Sequence, residues 1–216
     1  MPETIDALEV IVTAPVVSFR NPLYAGIQVG LPCPPPSTVG GLLAACAGTW
    51  DQVPRETRFA MAFHAEGTGV DLETYHPLAA KAANAKVTIK DRDFLTNATL
   101  TLWLTTDLEL WEAAIRRPVW PLRLGRSQDL ATARARRIQL TTGPGTQGRA
   151  VVPADLAKGG TLLQLPTAIA ADRARTRWGT YRYASAGTTA QISTGLATHD
   201  GQAVALLPPA HPAHAA

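Results

Sequence analysis

Cysteine is scarce in this chain, with 2 among 216 residues. Cys33 and Cys46 cannot build a disulfide framework or a four-ligand zinc site, so a reducing, cytoplasmic setting is expected and neither metal nor cofactor is implied. The opening residues, Met1-Pro-Glu-Thr-Ile-Asp6, have no basic segment followed by an apolar one, so no secretory leader is expected. Apolar runs stay well short of the ~18 to 20 residues of a spanning helix, and no membrane partner is expected. Charged residues are only 17% against 46% hydrophobic, which excludes a disordered polar segment and a charged coiled coil. Acids are nearly missing from one stretch: Arg116 to Arg149 holds eight arginines and a single acid, Asp129.

The net charge of +3 hides that segregation. Residues 1–110 carry 7 Lys and Arg against 12 Asp and Glu, or −5, whereas residues 111–216 carry 13 against 5, or +8. Sixteen of the 20 cations are arginine, whose planar fork suits phosphates and base edges, and the asymmetry points to a polyanionic partner for one face.

Ile5 to Thr13 is rich in β-branched residues and reads as a buried first strand. After a loop to Pro36, Ser37 stands where an N-cap belongs. Val39, Leu42, Leu43 and Cys46 then fall at helical spacing, with Gly48 as the stop. Gly40-Gly41 inside this helix costs ~1 kcal/mol per glycine relative to alanine, which signals close approach of the sheet, a ligand or another chain. Arg58–Glu66 and Val70–Leu78 read as strands joined at Gly67-Thr-Gly69 in a hairpin. Ala79 to Asn97 reads as an exposed arm bearing Lys81, Lys86, Lys90 and Arg92. Thr99 to Thr105 alternates, with Leu100, Leu102 and Leu104 on one face and Trp103 on the other, where another segment should cover it. A short helix from Asp107 to Arg116 and a strand from Arg134 to Leu140 follow. Arg173, Arg175 and Arg177, two apart, read as one face of a strand, either a charged edge or an RNA-facing ribbon. The Pro/Ala tail, residues 208–216, reads as disordered.

Several motifs lack context. Gly143-Pro-Gly-Thr-Gln-Gly148 fits the dinucleotide fingerprint in letters, but no helix opens after it and no acid follows at ~20 residues, so it reads as a turn-rich loop. His211 and His214 have no third ligand. Tyr75 and His76 with Lys81 are the one cluster holding a base, an acid and a cation of the kind a metal-independent ribonuclease uses.

Four segments in order, Ser18-Phe-Arg-Asn-Pro22, Pro34-Pro-Pro-Ser-Thr-Val-Gly-Gly-Leu-Leu43, Arg92-Asp-Phe-Leu95 and Leu124-Gly-Arg-Ser127, resemble the Cas-five (Cas5) family, the small RAMP-type subunit of type I CRISPR Cascade complexes. Asp93 stands where the family pattern has glutamate, and Gln128-Asp129 where it has a glutamate and often a cysteine. The resemblance covers roughly residues 5–140. It implies an α+β chain with a ferredoxin-like (RRM/RAMP-type) core over residues 1–140. A protruding β-hairpin thumb at about residues 79–98 goes with it, while residues 141–207, beyond the resemblance, read as a β-rich C-terminal extension, either a second lobe or a wrap around the first domain. The implied function is to grip the 5′ handle of the crRNA beside the Cascade backbone and large subunits, with target DNA a further partner within the complex. Most members are not enzymes, and none is expected here; the runner-up is an endoribonuclease on precursor crRNA using Tyr75, His76 and Lys81. Arg20, Asn21, Ser37, Thr38, Lys86, Lys90, Arg92, Arg126, Ser127, Arg134 and Arg137 are the expected RNA-binding residues, their cations for phosphates and the Ser37 helix start for an anion.

Overall fold

The computed structural model describes residues 3–24, 28–75 and 87–215. Strand β1 (Thr4–Val17) runs beyond the expected Ile5–Thr13, and its alternation decides the two faces of the sheet. Leu8, Val10 and Val12 point to the helices, while Ala7 and Glu9 point the other way. Helix α1 (Pro36–Ala47) follows. Ser37 is not its N-cap: Pro35 holds that position in extended backbone and Pro36 opens the first turn, where the fixed φ of proline fits and its missing N–H costs nothing. The stripe Val39, Leu42, Leu43 and Cys46 is buried as its spacing predicts, and Gly48 closes the helix at φ 108 by donating to the Ala44 carbonyl.

The two glycines of α1 differ. A Cβ on Gly40 would sit 2.9 Å from the Ala210 Cβ, whereas nothing lies within 4 Å of one on Gly41. The close approach is therefore the chain's own C-terminus. Far from being loose, the described part of the tail ends in a 3₁₀ turn (Pro212–His214) against the strand Thr161–Ile169, with His211 Nε2 3.1 Å from the Trp50 carbonyl.

Strands β2 (Phe59–His64) and β3 (Gly67–Tyr75) do not pair with each other as the Gly67-Thr-Gly69 hairpin required. Both lie along the 17-residue β4 (Thr88–Leu104) in one unbroken register, from Phe59 opposite Leu104 to Tyr75 opposite Thr88. The glycines serve cross-strand packing instead: the ring of Phe94 occupies the space of a Gly69 Cβ, and Thr96 Oγ1 that of Gly67 at 2.7 Å. Residues 88–97 of the expected exposed arm are thus strand, and residues 76–86 lie outside the described residues.

Helix α2 (Leu108–Arg116) buries Leu108, Trp111 and Ile115; Asp107 precedes it in left-handed conformation without a side-chain cap bond. Strand β5 (Thr132–Thr142) then lies antiparallel to β1. Of the rest of the chain, β7 (Ala150–Pro153), β8 (Thr161–Ile169) and β9 (Thr176–Tyr183) extend the same sheet at one edge and β11 (Leu196–Ala197) at the other, while β6 (Gly145–Thr146) and β10 (Gln191–Ile192) pair with each other in a separate two-stranded sheet. The order among the described strands is β11-β5-β1-β4-β2-β7-β9-β8, with β3 continuing β2 along β4.

Both faces are covered. The helices seal Leu8, Leu102, Phe59 and Met61 on one side, while Val204 closes over Ala7, Ala60, Trp103 and Leu140 on the other. Arg173, Arg175 and Arg177 do not share a strand face, because β9 starts at Thr176 and the first two lie on the β8–β9 turn, with Arg173 at φ 60. No helix among the described residues is long and apolar enough to cross a membrane.

Candidate nucleic-acid interface

Strand β1 ends at Val17, and the loop after it docks on the β3–β4 ribbon where β4 leaves the body of the sheet. Ser18 is the hinge of that docking. Its hydroxyl donates to the Asp93 carbonyl at 2.6 Å and accepts from Arg92 Nε at 2.6 Å, while its backbone N–H donates to Asp129 Oδ2 at 3.1 Å. Gly125 has φ 111, and a Cβ there would lie 2.7 Å from the Ser18 carbonyl, so this turn needs glycine on both counts. Three of the four motif segments, those carrying Ser18, Arg92 and Arg126, therefore meet at one place although about 75 and 110 residues apart in sequence.

Arg92 is buried, with its head group on Ser18, Gln28 and, at 3.6 Å, Glu73. Burial lowers its pKa, Glu73 raises it, and the nearby Arg126 and Arg20 guanidiniums lower it further. Arg126 closes on Asp129 by Nε and Nη2, each at 3.1 Å to Oδ1, and lies 3.9 Å from Asp71. Asp129, with a side chain 2% exposed, also receives the Arg126 backbone N–H at 2.8 Å. Arg92 and Arg126 are thus the internal braces of the site. Removal of Arg126 would leave Asp129 as a buried carboxylate without its cation, so Arg126 serves the fold as well as the site.

The loop, the turn and the ribbon carry the other polar groups of the site. Arg20 is half-buried and donates from Nη2 to the Tyr24 carbonyl at 3.2 Å. Asn21 accepts from the Leu23 N–H at 3.1 Å, and Ser127 is exposed on the turn between Arg126 and Asp129. Lys90, half-buried, stands opposite Glu73 on the ribbon.

The remaining expected residues lie elsewhere. Ser37 lines a cavity of about 390 Å³ with Trp50, Ile169, Arg173 and Ala210 at the start of α1, next to Thr38. Arg134 and Arg137 project from opposite faces of β5: Arg137 stands opposite Leu8 and bonds Glu112 at 2.8 Å and Glu109 at 3.2 Å on α2, while Arg134 stands opposite Ile11. Lys86, His76 and Lys81 fall outside the described residues, and Tyr75 is described only as the last residue of β3. Among the described residues no group of three or more His, Cys, Asp or Glu is placed to hold a metal ion.

Three residues that hold the site together, Asp129, Glu73 and Gln28, escaped the reading of motifs. For Asp129 the signal was present, since a lone acid inside a run of eight arginines is a natural buried counter-ion. Glu73 and Gln28 reach Arg92 only through the β3–β4 register and the return of the loop, which nothing local announces.

A family model described as CRISPR-associated protein (Cas_Cas5) matches residues 7–188. A chain of a CRISPR RNA-guided surveillance complex superposes with a TM-score of 0.55 at 17% identity, over 97% of this chain and 92% of that one. A chain of the type III-B Cmr-beta complex bound to cognate target RNA and AMPPnP gives a TM-score of 0.54 at 9% identity, over 85% of each chain. None of the curated proteins matches the chain by sequence.

Proposed function

This chain belongs to the Cas5 family of CRISPR-associated proteins, and from that membership we propose that it is the crRNA-binding subunit of a type I Cascade effector complex that holds the 5′ handle. The observation that carries the reading is the convergence of the Ser18–Asn21 loop, the ribbon at Arg92 and the Leu124–Ser127 turn around one arginine-rich site. Arg92 and Arg126, fixed by buried partners, hold the two loops rigidly enough for Arg20, Asn21, Ser127 and Lys90 to contact RNA in a defined geometry. Single-stranded RNA needs cations for phosphates and polar groups for splayed base edges, and these four supply both.

The strand order β5-β1-β4-β2, with α1 and α2 on one face, supports a ferredoxin-like core. The β3–β4 ribbon supports the thumb, reaching toward the backbone subunit. A neighbour of the same fold in an RNA-guided surveillance complex supports crRNA and other complex subunits, the backbone and large subunits among them, as partners. The role is binding rather than catalysis.

Arg20→Ala and Ser127→Ala should each weaken binding of a handle-bearing RNA about tenfold, within the ~1–3 kcal/mol of a lost specific contact, with unchanged thermal melting. Unaltered affinity in both would overturn the site. Incubating the full chain with repeat RNA in EDTA tests the endoribonuclease reading: a single specific cut abolished by His76→Ala would replace the binding role with a catalytic one.

A further inference from the structure

Trp120 is the one exposed tryptophan of the five, at 58%, and Val119 beside it is exposed to 61%. They stand in Arg116-Arg-Pro-Val-Trp-Pro121, every residue of which is exposed, so the apolar surface is contiguous rather than scattered. The display is not slack in the chain. The Val119 and Trp120 N–H groups donate to the Cys46 and Ala45 carbonyls at 3.2 Å each, and the indole Nε1 donates to the Gly48 carbonyl at 2.7 Å. Gly48 has φ 108, and a Cβ there would lie 3.3 Å from Val119, so the stop of α1 is also the seat of this segment. Pro118 and Pro121 restrict the backbone further. The ring is thus held in place before any partner arrives, and docking on it costs little ordering.

Charge frames the apolar centre. Arg116, Arg117 and Arg123 are exposed, and among the described residues their guanidiniums make no hydrogen bond or ion pair. Glu109 and Glu112, which line a groove of about 400 Å³ on α2 with Ala113, Arg116 and Arg117, are already spent on Arg137. Arg134, Arg173 and Arg175 are as exposed, but no exposed large apolar side chain stands within three residues of them. An apolar centre with arginine on its rim is the composition of a protein–protein hot spot, where Trp and Arg predominate. A single-stranded nucleic acid is the poorer match. Successive bases need successive rings and base edges need polar side chains, whereas from Arg116 to Gly125 Trp120 is the only aromatic residue and no Ser, Thr, Asn or Gln occurs.

We propose that Pro118–Pro121, with Arg117 and Arg123, is a docking surface for another protein subunit, one that receives the Trp120 ring and Val119 in an apolar recess edged by Asp and Glu. The inference rests on the reading of this chain as a subunit of a multiprotein complex, and it uses none of the handle-site residues.

The test measures binding of the full chain to the backbone subunit and to the large subunit, each purified, beside its binding of handle RNA. Trp120→Ala should weaken binding of one of the two subunits about thirtyfold through faster dissociation, as loss of a hot-spot anchor does. R117E/R123E leaves every bond of the Trp120 seat in place; it should slow association with the same subunit about tenfold at low salt and flatten its salt dependence. Handle RNA affinity of Trp120→Ala should stay within about twofold, because the two places share no partner. Unchanged binding of both subunits by either variant, a loss that appears in RNA binding instead, or a parent chain that binds neither subunit would each overturn the docking surface. The handle reading falls separately, if the parent chain docks as stated yet does not bind handle RNA.

Discussion

Arg126 and Asp129 show how far a residue's sequence role and its structural role can diverge. Arginine in a basic run suggests an RNA contact, yet this one is spent on a carboxylate only 2% exposed. Arg126→Ala leaves that carboxylate buried and unpaired and should destabilise the fold by ~3 kcal/mol, read as a lower midpoint in urea denaturation. Asp129→Asn keeps the shape and removes the charge, so it should cost less than Arg126→Ala; the reverse ranking would refute the bracing role. The cysteines offer a second check. Burial pushes the Cys46 thiol up to about 11 and the Cys33 thiol further still. Both should therefore resist a disulfide-exchange reagent at pH 8 in the native protein and react in denaturant. Because the folded pKa of Cys46 lies above the ordinary value of 9.0, its stabilising contribution is full below about pH 9 and disappears as pH rises toward 11. A urea midpoint that did not decline over that interval would contradict the burial.

At the scale of elements, α1 carries a paired prediction. Gly41→Ala meets nothing within 4 Å and should raise stability by ~0.5–1 kcal/mol through helix propensity. Gly40→Ala drives a methyl to 2.9 Å from Ala210 and 3.1 Å from the Trp50 ring and should lower the melting temperature. Equal effects at the two positions would show that the tail does not pack on the helix. The sequence announced that something approaches this helix, since two glycines in a stripe-bearing segment are otherwise unfavourable, but the identity of the approaching segment lay about 170 residues away. Strands β2 and β3 teach the same lesson in reverse. Their Gly67-Thr-Gly69 junction has local turn chemistry, yet a 17-residue partner strand allows the chain to run straight on, and the backbone hydrogen bonds of that ladder outweigh a turn propensity.

Across the whole molecule, the C-terminal third behaves as part of one folding unit. Residues 141–215 add β7, β9 and β8 beyond β2, place β11 against β5 and seal the back of the sheet with Val204. Removing residues 203–216 would uncover Trp103 and Leu140 and delete Leu207, whose N–H donates to the Phe59 carbonyl at 2.9 Å. Such a truncation should aggregate or expose Trp103, seen as a red-shifted emission and dye binding; a monomeric protein with native emission would show that the extension is dispensable. The +8 of the second half is not a uniform basic face, for the β1–β5 register brings Glu9, and α2 brings Glu109 and Glu112, onto its arginines.

Periodicity and composition by themselves determined the local facts: the buried stripe of α1, the alternation around Trp103, the stop at Gly48 and the segregation of charge. These follow from the 3.6- and 2-residue periods and from residue chemistry, which act over a few positions. Only the tertiary structure decided which arginines are braces and which are left to bind, because a guanidinium is committed by an acid that the strand register brings beside it. Glu9 reaches Arg136 through the β1–β5 register, Glu73 reaches Arg92 through the β3–β4 register, and Arg117 and Arg123 meet no such partner among the described residues.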